Sequence, residues 1–191
     1  MIRRLHSTNY PKYKTAYENL AARLREESAQ AKDAFEAWVY DRMLNRHTAH
    51  DGKYCAVTLT CKQARKTRDG GLERLTEETL SATIGKFLTL LNKDVYGKAY
   101  RRFGKQLKVV SAIERGKDGR LHAHLLLEIP RCAYADTHAY FEHVTRLWTS
   151  LQWARRVNEV KPAVDEYGWL TYITKEMTWK PDTLDLMNLH L

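Results

Sequence analysis

The sequence predicts an α+β domain in which helices cover one face of an antiparallel sheet. Three observations carry that expectation. From Tyr54 to Val160, segments of two-residue alternation and segments of helical periodicity follow the order strand, helix, strand, strand, helix, strand. The two central strands are joined by Gly116-Lys-Asp-Gly119, a hairpin turn signal. The chain has 191 residues, of which 43% are hydrophobic, enough for one domain with a full core and an added arm.

The elements follow in order. Residues 12 to 47 read as one or two helices, with Tyr17, Leu20, Leu24, Ala31, Phe35, Trp38, Val39 and Met43 at steps of three or four. A polar stretch, His47 to Lys53, separates this arm from the rest. Tyr54 to Cys61 reads as a strand with Val57 and Leu59 on one face and Thr58 and Thr60 on the other. A basic, glycine-containing loop follows, and then a helix from Leu75 to Val95. Thr76 is its expected N-cap, and Glu77 and Glu78 stand where the helix dipole favours anions. Lys108 to Glu114 and Arg120 to Ile129 are the hairpin strands, and Pro130 ends the second. A helix is expected from Asp136 to Leu151, a short strand from Arg155 to Val160 stopped by Pro162, and a final helix from Asp165 to Met177. The tail from Pro181 is weakly patterned. The simplest packing is the ferredoxin-like sandwich, the topology shared with RNA-recognition domains. It puts both helices on one sheet face and leaves the other open.

A formal net charge of +9 favours a polyanionic partner. The basic residues also cluster, as Lys62, Arg65, Lys66 and Arg68, and as Lys98, Arg101, Arg102 and Lys105. The second cluster interleaves with Tyr96, Tyr100 and Phe103, a pattern suited to phosphates and unpaired bases. A basic connector with buried aromatics is the competing reading. Trp148 and Trp153 read as core or edge residues. No apolar run is long enough for a bilayer, and the start has no signal-peptide pattern, so a soluble cytoplasmic protein is expected. Cys55, Cys61 and Cys132 fit no zinc spacing and read as buried thiols.

The chemistry is concentrated on Leu121 to Glu128. Alternation places Leu121, Ala123, Leu125 and Leu127 towards the helices and His122 and His124 together on the other face. Two imidazoles so placed can share a cation; two surface histidines are the plain alternative. Glu114, at the end of the preceding strand, joins them if the hairpin loop holds an odd number of residues. The resulting oxygen and nitrogen set suits Mn²⁺ or Mg²⁺. In the final helix, Tyr172 and Lys175 are three residues apart and share a face. An ammonium and a cation nearby would stabilise a phenolate nucleophile, whereas a helix tyrosine more commonly packs in a core.

Three segments in order, Ala56 to Thr60, Leu121 to Leu125 and Tyr172-Ile-Thr-Lys175, resemble the motifs of the HUH endonucleases, specifically the Rep-type initiators of rolling-circle replication. The resemblance runs from about Tyr54 to Thr178. It implies an extension at residues 1–50, a nuclease domain at 51–180 with its catalytic helix across the open sheet face, and a tail at 181–191. It implies Tyr172 as a nucleophile that nicks single-stranded DNA and forms a 5′-phosphotyrosine link, with Lys175 as electrostatic helper and His122, His124 and Glu114 as metal ligands. Arg101, Arg102, Lys105, Lys62, Arg65, Thr58 and Thr60 are the expected DNA contacts. Tyr167 is an alternative nucleophile, but five residues from Tyr172 it is rotated by about 140° on a helix. Unwinding would fall to a host helicase, and the arm could contact DNA, pack on the domain or form a homodimer. A single-strand transposase and a relaxase share the same metal pair and tyrosine. A water-activated phosphoesterase and a non-catalytic RNA-recognition-like module are further alternatives, the last favoured by aromatics on the central strands.

Overall fold

A computed structural model describes residues 10–44, 54–130, 136–180 and 183–191. The stretch His47 to Lys53, Cys132 and Pro181 lie outside the described residues. Helix α1 (Tyr10–Val39) is prolonged by a π-helical turn, Tyr40–Leu44. Strand β1 (Tyr54–Thr60) follows, then a short ribbon of β2 (Ala64–Lys66) and β3 (Leu72–Arg74). Next come α2 (Glu77–Tyr96), α3 (Lys98–Phe103), β4 (Val109–Arg115), β5 (Leu121–Glu128), α4 (Thr137–Thr149), β6 (Glu159–Pro162) and α5 (Glu166–Ile173). Two 3-10 turns, Lys175–Thr178 and Leu186–Asn188, close the chain.

The main sheet has the order β4-β5-β1-β6, with every neighbouring pair antiparallel. Since α2 links β1 to β4 and α4 links β5 to β6, this is the ferredoxin-like arrangement. Alternation decides which residues meet the helices. Val57, Leu59, Val109, Ile113, Leu121, Ala123, Leu125 and Leu127 join Leu80, Ile84, Phe87, Leu88 and Leu91 of α2 and Tyr140, Val144 and Trp148 of α4 in one buried core. The helix starts are capped as the sequence requires. Thr76 Oγ1 accepts from Thr79 N at 3.2 Å, and Asp136 Oδ1 accepts from Ala139 N at 2.7 Å. Trp148 and Trp153 are buried, as are the free thiols of Cys55 and Cys61, and burial pushes the Cys61 pKa up to about 12.

Helix α5 lies across the other face of the sheet, as the resemblance implies, and the end of the arm covers that face as well, which the bare sandwich topology does not anticipate. Val39, Met43 and Leu44 at the end of the arm pack with Leu170 and Ile173 of α5 over Val110, Ala112 and Leu126. These sheet residues are apolar and point away from the first core, so a second layer must cover them. Tyr54 supplies a polar tie, its hydroxyl donating to Met43 O at 3.0 Å. The expected arm stripe is therefore a core stripe only at its C-terminal end; Leu20 and Leu24 are 55% and 53% exposed.

Four further boundaries differ. The loop expected from Lys62 to Arg74 contains the β2–β3 ribbon, and Lys98–Phe103 is helical. Pro162 does not stop β6 but belongs to it, opposite Cys55. It is tolerated because β6 is an edge strand, where a missing N–H breaks no ladder bond. The helix expected through Met177 ends at Ile173 and continues as a 3-10 turn. The weakly patterned tail is bound along β4, where Val109 and His190 exchange backbone hydrogen bonds at 2.8 and 3.0 Å and Asp185 N donates to Ser111 O at 2.9 Å.

Candidate functional site

The β4–β5 hairpin positions the first three residues. Arg115 pairs with Leu121, so the loop is Gly116–Arg120, an odd count, and Glu114 stands directly opposite His122. The turn closes with Gly119 N donating to Gly116 O at 2.8 Å, and Gly119 takes φ +77°, a conformation that favours glycine. Two residues further along β5, His124 lies opposite Ala112 on one side and Thr58 on the other. The hairpin register thus meets the parity condition.

The side chains converge. His122 Nε2 and His124 Nε2 are 3.1 Å apart, and Glu114 Oε2 is 3.4 Å from His124 Nε2 and 4.0 Å from His122 Nε2. One ligand atom from each of the three residues lies within 4.8 Å of the others. His124 Nδ1 is 3.1 Å from Thr58 Oγ1. With its proton on Nδ1, the ring donates to that hydroxyl and turns the Nε2 lone pair towards Glu114 and His122. Burial, then the neighbouring His122, push the His124 pKa down to about 4 against the opposing pull of Glu114. The ring is therefore neutral at physiological pH, as a metal ligand must be. Two imidazoles and one carboxylate at these distances could hold a metal ion.

That shift has a measurable consequence. Below pH 6.5 unfolded His124 binds a proton, whereas folded His124 does so only near pH 4. The metal-free protein should thus lose stability as pH falls from 6.5 to about 4, by an amount on the order of 3 kcal/mol from this group. Thermal unfolding across that window should be visibly flatter in His124→Asn than in the unaltered chain. Equal slopes would assign the acid loss to other groups.

Helix α5 and the 3-10 turn after it bring two more side chains to the cluster. Asp165 caps it, accepting from Gly168 N at 2.8 Å. A Cβ at Gly168 would collide with Asp165 Oδ2, so glycine is what lets the carboxylate close over the helix start. Trp169 Nε1 donates to Leu125 O at 3.0 Å and fixes the helix on the sheet. The Tyr172 ring stacks on Trp169 at 5.1 Å and meets the His124 ring edge-on at 5.4 Å. Lys175 Nζ lies 3.8 Å from the centre of the Tyr172 ring and 2.5 Å from Glu114 Oε2. Burial disfavours the Lys175 charge, but Glu114 and then Tyr172 outweigh it and hold its pKa above the usual value. Lys175 reaches the cluster from the 3-10 turn rather than from a continuous helix.

Tyr167 sits elsewhere, with its ring edge-on to Tyr40 at 5.7 Å. Beside Tyr172, Ala56, Lys161, Trp169 and other residues line a cavity of about 330 Å³ between β6 and α5. Two side chains near the site carry little signal in the sequence. Buried Glu176 has its pKa raised by burial and by Glu114. Glu36, also buried, contacts the turn that carries Lys175. Only the i,i+4 spacing of Lys32 and Glu36 within the apolar stripe hints at the second.

The expected DNA contacts divide into two groups. Arg101, Arg102 and Lys105 are exposed on and after α3, with Lys105 Nζ 4.9 Å over the Tyr96 ring. The others are engaged within the protein. Lys62 Nζ donates to Gln152 O at 3.0 Å, and Arg65 pairs with Glu73 at 2.5 Å and lies over the Trp153 ring at 4.9 Å. Thr58 faces His124, and the Thr60 hydroxyl donates to Val157 O. Arg101→Ala and Arg102→Ala should each weaken single-stranded DNA binding at low salt and reduce the slope of log K against log salt by about 0.7. Arg65→Ala should leave the slope nearly unchanged and lower stability instead. Anisotropy titrations across a salt series separate the two groups.

The fold and the site together define a basic α+β protein that carries a candidate metal centre on a ferredoxin-like sheet. A family model for the replication-associated protein ORF2 matches residues 54–178, and the chain belongs to that family. No curated protein and no solved structure matches the chain. Among the described residues no helix is long and apolar enough to cross a membrane.

Proposed function

We propose that this member of a replication-associated family initiates rolling-circle replication of a plasmid or phage by nicking single-stranded DNA, with Tyr172 as nucleophile. The observation that carries the reading is the meeting of Tyr172 and Lys175 with Glu114, His122 and His124 in one cluster. A divalent cation held by the last three residues would supply positive charge to the scissile phosphate and favour the phenolate.

The Tyr172 oxygen attacks the phosphorus. A phosphorus–oxygen bond forms to the tyrosine while the bond to the 3′ oxygen of the preceding nucleotide breaks, and that oxygen leaves and takes up a proton. The phenol proton is lost as the nucleophile forms. The Lys175 ammonium, beside the ring, stabilises both the phenolate and the charge on the phosphoryl oxygens. Stacking on Trp169 and the edge contact with His124 hold the ring in one orientation before attack. The cavity beside Tyr172 offers room for a flanking nucleotide. Because the bond energy is kept in the phosphotyrosine, the liberated 3′ hydroxyl can later reverse the step and rejoin a strand.

The test uses origin DNA from the replicon that encodes the protein, labelled at either end, with Mn²⁺. Label at the 3′ end should migrate with the denatured protein, and label at the 5′ end should appear as a shorter free strand with a 3′ hydroxyl. Cleavage that leaves both fragments free of protein would replace this reading by water-activated hydrolysis.

A further inference from the structure

Glu36 lies in the arm, outside the residues that match the family, yet it is 3% exposed and points at the segment carrying the proposed nucleophile. Its Oε1 accepts from the Thr174 hydroxyl and pairs with Lys32 Nζ at 2.6 Å. Its Oε2 accepts from the Thr171 hydroxyl at 3.4 Å. Thr171 immediately precedes Tyr172, and Thr174 immediately precedes Lys175. One carboxylate therefore holds the residue before each of the two groups assigned to the chemistry. It does so where the backbone changes from α-helix to 3-10 turn, with Thr174 fully buried.

Docking alone does not require this arrangement. Val39, Met43 and Leu44 already bury the end of the arm against Leu170 and Ile173. A buried carboxylate is costly unless paired and hydrogen-bonded, and here its partners are the two hydroxyls and one ammonium. Had the helix simply continued past Ile173, Lys175 would leave at a different angle. The carboxylate's bond to Thr174 anchors the turn that aims Lys175 at Glu114 and at the Tyr172 ring.

We infer that Glu36 is a positioning residue that makes the N-terminal arm part of the active site by fixing the Tyr172–Lys175 turn. The inference rests on the nuclease reading above. It predicts that Glu36→Ala and Thr174→Val slow single-turnover adduct formation about 10- to 100-fold, the scale of a misplacement near 1 Å. Single-stranded DNA affinity should stay within about twofold, so that kcat falls and KM does not. Glu36→Gln keeps one acceptor and should recover part of the rate. The Glu36→Gln/Thr174→Val double variant should be no slower than Thr174→Val alone.

Hydrogen exchange provides a readout that needs no nuclease activity. Amides of residues 172–178 should exchange at least about 10 times faster in Glu36→Gln and Thr174→Val than in the unaltered chain. Unchanged adduct rates in both of these variants, with the unaltered chain active, overturn the inference. So does a rate loss matched by an equal loss of DNA affinity. If the unaltered chain forms no adduct with origin DNA while the exchange responds, the clamp is supported and the nuclease reading fails instead. Should Glu36→Ala not fold, the Gln and Val variants decide alone.

Discussion

Tyr172→Phe is expected to abolish covalent attachment of DNA, at least about 10⁴-fold, while DNA binding, metal uptake and thermal stability change little. The substitution removes one oxygen. The ring keeps its stack on Trp169, its edge contact with His124 and its place under the Lys175 ammonium. At 43% exposure the residue fills no core space that a phenyl ring would leave vacant. The loss should therefore appear in the adduct assay and not in unfolding curves or anisotropy. An adduct of normal yield in this variant would move the nucleophile elsewhere. Tyr167→Phe would then be the variant to examine, although that ring lies against Tyr40.

Lys175→Met should move two quantities in opposite directions. Glu114 Oε2 is the oxygen nearest both imidazoles, and the Lys175 ammonium already holds it at 2.5 Å. A divalent cation drawn to that oxygen competes with the lysine and is repelled by it. Removing the ammonium should tighten Mn²⁺ binding about tenfold, a change of about 1.4 kcal/mol. The same variant should cleave about 10²- to 10³-fold more slowly, because the ammonium no longer shares with the cation the charge that develops on phenolate and phosphate. Calorimetry of Mn²⁺ binding and single-turnover cleavage at saturating Mn²⁺ check the two signs. A parallel fall in affinity and rate would mean that Lys175 props up the ligand set rather than competing for it.

Much of this arrangement is legible in the sequence because strand periodicity is strict. Leucines at alternate positions of β5 can face only one way, which forces His122 and His124 together. The hairpin places Glu114 by parity alone. Thr76 and Asp136 announce their helices because unpaired N–H groups at a helix start need a side-chain acceptor. What stays illegible depends on distant partners. Glu36 reads as a charged residue on a solvated helix face, since Thr171 and Thr174 lie more than a hundred residues away. The break after Ile173 carries no Pro or Gly to mark it. It is set by side-chain bonds that act on Thr174 and by the pairing of Lys175 with Glu114. The second layer leaves little trace because Val110, Ala112 and Leu126 are too few to indicate what would cover them. The tail leaves little because Ser81, the side-chain partner of both Asp185 and Asn188, lies more than a hundred residues away, and its bonds to β4 run through backbone, which has no residue code.

The hydrogen-bonded tail along β4 and the proline in β6 have a shared effect on how the molecule behaves in a crowd. One margin of the sheet has its amides and carbonyls partly taken by His190 and Asp185, and the other is four residues long and lacks a donor at Pro162. Neither side presents a long template on which a second copy could stack. Even where copies are crowded together, the sheet margins thus give little purchase for cross-linking into fibrils.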